Sequence, residues 1–433
     1  MKTIFSKHLF KAIALCLLLA LNACGTIEPE VKPEDKPEKE KEEEKKDPEP
    51  QTPEETVFPT KGEHNYLVIL VETPDVKFSI PNPKQAFGDM LNKEGYSDYG
   101  GTGSARDYFI KQSCSAFKPG FDVFGPVCVN MEMSNFTVGR GLTKLGAARL
   151  FAMACDQLDT TVDFSKYDTD NNGIIDNVFF YYAGYNSADG PDDAIWPHAG
   201  KVEYKEWTFD GKKFTDYACT SELKGASGCD MARIGNFCHE FAHVLGLPDF
   251  YDTDMVSNAG PWDFSLMHNG CYNNDGNTPP SLNCEERMML GWLDLIPEIP
   301  CPTAGFKLKP VSENCGALIP TDNPGEYYYL EYRDGKGWDK YLPEGLVIYH
   351  VDKSENVVNC KTAEFRWRRL DNINCSPEHP CFDLIRASEE ISVFGAGINS
   401  YQPVCWSGNS LPFRIDNVAF ESSTLTLDIM ASE

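Results

Sequence analysis

His239, Glu240 and His243 stand in the run Cys238-His239-Glu240-Phe241-Ala242-His243-Val244-Leu245-Gly246-Leu247-Pro248-Asp249-Phe250-Tyr251-Asp252. Four residues apart on a helix, two histidines sit one above the other on a single face, so both imidazoles reach one cation. Glu240, beside the first, can hold a water there and take its proton. Zinc asks for that division of labour: neutral nitrogen ligands, an open position for water and a nearby carboxylate. With only 8 histidines in 433 residues, an accidental pairing on a solvated helix face is the weaker reading.

A third ligand must come from beyond the helix. Gly246 and Pro248 both oppose its continuation, so the chain turns within a few residues of His243. That turn can return Asp249 or Asp252 toward the metal. A second source is Glu286, in a stretch around Cys284-Glu285-Glu286-Arg287-Met288-Met289 that reads as a helix. Asp249 lies ten residues after His239, the offset at which metzincin peptidases place a third ligand, usually a His. Asp249 is therefore preferred to Glu286; its plainer alternative is a turn residue or helix cap. Downstream, Trp262-Asp263-Phe264-Ser265-Leu266-Met267-His268 resembles the Met-turn beneath the metal in that group, and His268 or Tyr272 could steady an oxyanion.

Several motifs in order carry a wider resemblance. They are Leu67 to Glu72, Gly101 to Phe109, Tyr167 to Gly173, Ile195 to His198, His239 to Asp252, Trp262 to Met267 and Leu290-Gly291-Trp292. Together they resemble the immune-inhibitor-A-type metallopeptidases, well over about residues 64–300 and more loosely to about 400. The resemblance implies a secreted zinc endopeptidase acting on proteins. Two departures stand out: no long pro-region lies between the leader and the first matching strand, and cysteines are unusually many.

Asp168-Thr169-Asp170-Asn171-Asn172-Gly173 has the spacing of a calcium loop, with oxygen ligands at Asp168, Asp170 and Asn172 and Gly at the sixth position. Phe179 stands where the usual bidentate Glu would be. A calcium ion here would stabilise, not catalyse. The bland reading is an Asp/Asn-rich turn.

The elements around these residues begin with a leader. Lys2, Lys7 and Lys11 precede an apolar run, Ala12 to Leu21, of signal-peptide length. It ends Leu21-Asn22-Ala23-Cys24-Gly25, which resembles a bacterial lipobox, so residues 1–23 read as signal peptide and Cys24 as a lipidated membrane anchor. A plain signal peptide and free secretion are the alternative. Residues 24–63 are rich in Glu, Lys and Pro and nearly devoid of apolar side chains, the composition of a solvated tether. The expected location is a bacterial surface or outer membrane.

A net charge of -27 argues against nucleic acid as a partner; protein or peptide substrates are compatible with it. Oligomeric state is left open. Apart from Cys16 and Cys24, fourteen cysteines remain, which in an exported chain predicts disulfides, with Cys219/Cys229 and Cys375/Cys381 close enough for local loops. Cys238 reads as structural.

The expected fold class is α+β. A zinc peptidase domain over residues 64–300 has a mixed sheet and an active-site helix, and a β-rich portion follows over 301–433. Strands are predicted at 66–71 and 177–182, helices at 105–112, 144–158 and 233–245, and further strands at 326–332 and 344–351. The rival from another class is an inactive peptidase-fold surface lipoprotein that binds protein or glycan. The intact Glu240 argues against it. No Gly-x-Ser-x-Gly or matched Cys/His motif supports a nucleophile hydrolase.

Overall fold

The computed structural model describes residues 58–137, 146–202, 207–293, 297–355, 357–358, 361–368, 372–395, 397–421 and 423–432. The leader, Cys24, nearly all of the tether and Cys360 lie outside the described residues. Those described belong to one compact unit, Thr56–Glu433.

Strand β1 (Gly62–Glu72) is an interior strand of the first sheet, and its Leu67 to Val71 are wholly inaccessible. A parallel strand covered on both faces needs that unbroken apolar run. Tyr66, Val68 and Leu70 point into one core, Leu67, Ile69 and Val71 into another, as the two-residue period requires. Parallel to β1 lie β2 (Phe117–Cys128) and β3 (Val178–Tyr185). Past β3 comes parallel β7 (Asp216–Leu223), then antiparallel β4 (His198–Lys201), giving the order β2-β1-β3-β7-β4. A small hairpin, β5 (Trp207–Phe209) with β6 (Lys212–Phe214), lies between β4 and β7 in sequence.

Helices α1 (Pro83–Asn92), α2 (Ala105–Gln112) and α4 (Ile234–Val244) contribute to the first core, and α3 (Gly146–Leu158) to the second. Short helices α5 (Cys284–Met289) and α6 (Ala363–Arg368) follow. The strands and helices expected from the sequence are present within a few residues of their predicted ends. Strand β2 is not among them: it contains Pro119, Gly120, Gly125 and Pro126, which only an edge strand accommodates, and β2 is at the edge. Among the described residues no helix is long and apolar enough to cross a membrane.

Beyond residue 300 the chain turns to antiparallel sheet. Strands β9 (Ala317–Pro320), β10 (Glu326–Arg333), β11 (Gly345–Asp352) and β14 (Phe382–Ile385) form one sheet; β8 (Thr303–Leu308), β15 (Phe413–Glu421) and β16 (Thr424–Ala431) form another. A two-residue pair, β12 (Val357–Val358) with β13 (Lys361–Thr362), completes the strands. Tyr329, Val347, Tyr349 and Val351 share the core of α2 and α4, while Tyr328, Leu330, Leu346 and Ile348 face the outer sheet. The β10–β11 sheet is thus sandwiched, and one core runs from Phe58 to Val393.

The expected disulfides are corrected. All thirteen described cysteines are free, and seven are buried, serving as small apolar core residues. Cys219 Sγ is 3.4 Å from His198 Nδ1 inside the core, whereas Cys229 is exposed. Cys375 Sγ meets Thr253 Oγ1 at 3.1 Å while Cys381 is buried.

Candidate metal centre

Helix α4 is amphipathic between two unlike faces. Phe237 and Phe241 pack on the sheet, with Phe237 against Phe121 and Phe179 (ring centroids 4.9 and 4.4 Å) and Phe241 against Tyr66 (4.8 Å). His239 and His243, two residues further on in each case, fall on the opposite side. Gly235 lets the helix start close to the chain just beyond Met267: a Cβ there would stand 1.8 Å from the Cys271 carbonyl oxygen. The helix ends as the sequence suggested. Gly246 adopts φ 106°, and Leu247 N–H donates back to Ala242 O at 3.0 Å.

That turn carries Asp249 back over the helix. Its Oδ1 is 3.1 Å from His239 Nε2 and 3.3 Å from His243 Nε2, and the two rings are nearly perpendicular with centroids 4.8 Å apart. Each imidazole uses its other nitrogen on a carbonyl, His239 Nδ1 on Leu266 O (2.9 Å) and His243 Nδ1 on Leu247 O (2.7 Å). With Nδ1–H donated, both Nε2 lone pairs face Asp249, and its buried Oδ1 has no hydrogen-bond partner. Burial opposes charge here, yet the cluster calls for positive charge. The Asp249 carboxyl is held far below the usual range by the two imidazoles, and the carboxylates of Asp249 and Glu240 raise both histidines above theirs. One divalent cation satisfies the set as protons would, and two His nitrogens with one carboxylate oxygen suit zinc.

Glu240 is buried on the same helix, and its charge helps burial raise the Cys219 thiol of β7. Burial pushes His268 down to about 4, so its ring is neutral near pH 7. His268 Nδ1 accepts from Trp262 N–H at 2.9 Å, which leaves the proton on Nε2. Tyr272 is half-exposed nearby and feels the charges of Glu240 and Asp249.

Glu286 is not with the histidines. It sits third in α5, where its side chain and that of Asn283 form a reciprocal helix cap, and it also reaches Ser265 and Met267. Asp252 turns into its own loop, accepting from Ser257 N–H and Oγ–H at 2.7 and 2.8 Å. The sequence reading missed the carbonyls of Leu247 and Leu266, because backbone partners leave no mark in residue type. It also missed contributions from the C-terminal part of the chain, one from a turn and one from β14. Asn374 Nδ2 donates to Phe250 O at 2.7 Å, and Asp383 accepts from Gly260 N–H at 2.8 Å.

The loop expected to hold calcium makes contacts of its own. Lys212 Nζ lies 2.5 Å from Asp168 Oδ2, supplying the positive charge a cation would. Asn172 Oδ1 is engaged by Ile174 N–H, and Asp170 by Asn172 itself. Asp176 converges with Asp168 and Asp170 in place of Asn172.

Residues 60–290 match the family model described as "Immune inhibitor A peptidase M6, catalytic domain". Immune inhibitor A of Bacillus thuringiensis subsp. alesti is 31% identical over 260 residues, covering 54% of this chain and 33% of that protein. Pre-pro-metalloprotease PrtV of Vibrio cholerae serotype O1 (strain M66-2) is 25% identical over 260 residues, covering 49% of this chain and 28% of that protein. The chain therefore aligns with about a third or less of the length of these relatives.

Proposed function

The chain belongs to the immune inhibitor A family of M6 peptidases, and from that premise we propose that it is an exported zinc endopeptidase acting on proteins or peptides. It would be held at the bacterial surface through lipidated Cys24, or secreted. Residues 64–300 would carry the chemistry on a metzincin-like frame, with 301–433 as its β-rich support. The observation that carries this reading is the convergence of His239, His243 and Asp249 on one point beside Glu240.

Zinc, when bound, polarises a carbonyl as a Lewis acid and makes water acidic enough to act as a nucleophile near pH 7. The histidines would hold it through Nε2, because the Leu266 and Leu247 carbonyls take up their Nδ1–H. Asp249 adds the negative charge that makes the set selective for a cation. Glu240 takes the proton of the attacking water and passes it to the leaving amine. His268 offers Nε2–H toward the developing oxyanion, with Tyr272 as the alternative donor.

Glu240→Ala tests the assignment. The variant keeps its zinc and loses turnover by at least ~10²-fold, the usual worth of a general base. Near wild-type cleavage would remove Glu240 from the mechanism. The rival reading, an inactive surface lipoprotein, requires instead that the zinc-loaded wild-type chain cleave no denatured protein.

A further inference from the structure

Resting on the metal reading above, we propose that Glu286 is a positioning residue for the metal centre. It acts through the Ser265–Met267 turn, which fixes two of the three ligands.

Glu286 is fully buried, and its two carboxyl oxygens face different partners. Oε2 accepts from Asn283 N–H at 2.8 Å, closing the reciprocal cap of α5. Oε1 points out of the helix and accepts from Ser265 Oγ–H at 2.6 Å and Met267 N–H at 3.2 Å. The turn so held hands its carbonyls to the metal centre. Leu266 O accepts from His239 Nδ1–H at 2.9 Å, and Met267 O accepts from Phe250 N–H, next to Asp249, at 2.9 Å. One carboxyl group thereby reaches two ligands.

A helix cap alone does not account for a buried Glu here, because the cap uses only one oxygen and Gln serves it as well. The second oxygen faces two donors, and the single oxygen of an amide could not face both sides at once. Nor is the group placed to satisfy a cation: Arg333, the buried guanidinium whose charge reaches it, is paired with Glu331 and Asp339 at 2.7 and 3.1 Å. The helix bearing Glu286 is itself immobilised. Glu285 is ion-paired to Lys353 from the C-terminal part, and Arg287 donates to the Gln112 carbonyl and side chain at the end of α2. Fixed anchors of this kind set the orientation of a ligating imidazole, and losing one typically weakens metal binding 10–100-fold.

The test measures zinc affinity by competition with a chromophoric chelator, together with the visible spectrum of the cobalt-substituted protein. Folding is followed by circular dichroism. Glu286→Ala should weaken zinc binding by at least ~10-fold and alter the cobalt band. Glu286→Gln, whose oxygen can still face the turn, should lie closer to wild type. A folded Glu286→Ala protein with wild-type affinity and spectrum overturns the proposal, as does a Gln variant no better than Ala. Should Glu286→Ala fail to fold, Ser265→Ala decides. It leaves the α5 cap intact, and it should weaken zinc binding several-fold; unchanged affinity rejects the proposal. A wild-type chain that binds no zinc at all would instead refute the metal reading on which this rests.

Discussion

Glu286 also shows how a single buried group couples stability to pH. Burial outweighs the hydrogen bonds from Ser265, Asn283 and Met267 and pushes its carboxyl up to about 7, from an ordinary value of 4.5. The neutral form is thus favoured by the fold. Its contribution is fully present below about pH 4.5 and is lost as pH rises through about 7, a change of about 3 kcal/mol. Urea unfolding of the metal-free protein should show this as a wild-type curve that falls relative to Glu286→Gln between those pH values. Parallel curves would mean that Glu286 titrates normally. At this scale the sequence was most legible where chemistry resides in residue type. The spacing of His239, Glu240 and His243 could be read directly, and Asp249 was preferred to Glu286 as the residue that joins them. The contacts of Glu286 could not, because they depend on which way two oxygens point, and neither could the ion pair that Lys212, far along the chain, makes with Asp168.

At the scale of elements, α4 is positioned by one aromatic face and one glycine. Gly235 has the Cys271 and Gly276 carbonyl oxygens 1.8 and 3.0 Å from where a Cβ would be. Both are backbone atoms, so Gly235→Ala must push the helix off its bed, at a cost of roughly 1–3 kcal/mol. Gly88, inside α1, has nothing within 4 Å of the same point. Gly88→Ala should stabilise by roughly 0.5–1 kcal/mol from helix propensity alone. Thermal unfolding of the two variants should therefore shift in opposite directions, and a tolerated Gly235→Ala would show that the approach of α4 is looser than its geometry implies. Helices with clear periodicity were legible in the sequence, as were strands buried on both faces such as β1. Strand β2 was hidden by its prolines, and β4 and β7 by their polar residues, since edge position and sheet order are properties of tertiary pairing.

For the molecule as a whole, the change of pattern near residue 300 suggested a peptidase domain over 64–300 followed by a smaller β-rich portion. The core does not divide there. Tyr329, Val347 and Phe382 belong to the same cluster as Phe241 and Met267, and Arg333 from β10 donates to Ser281 O at 2.6 Å and Phe264 O at 3.3 Å. A chain truncated after Pro300 would expose that cluster and strand the polar partners of Arg333. It should be aggregated or protease-sensitive; a soluble, zinc-binding 58–300 fragment would contradict the shared core. The central claim concerns the metal and its chemistry, and one measurement reaches it most directly: zinc per chain in the purified protein, with cleavage of a denatured general protein substrate before and after chelation. The account predicts close to one zinc bound at the His239–His243–Asp249 site, cleavage abolished by the chelator and restored by zinc, and loss of that zinc in Asp249→Ala. Cleavage that persists in the metal-free chain would contradict it.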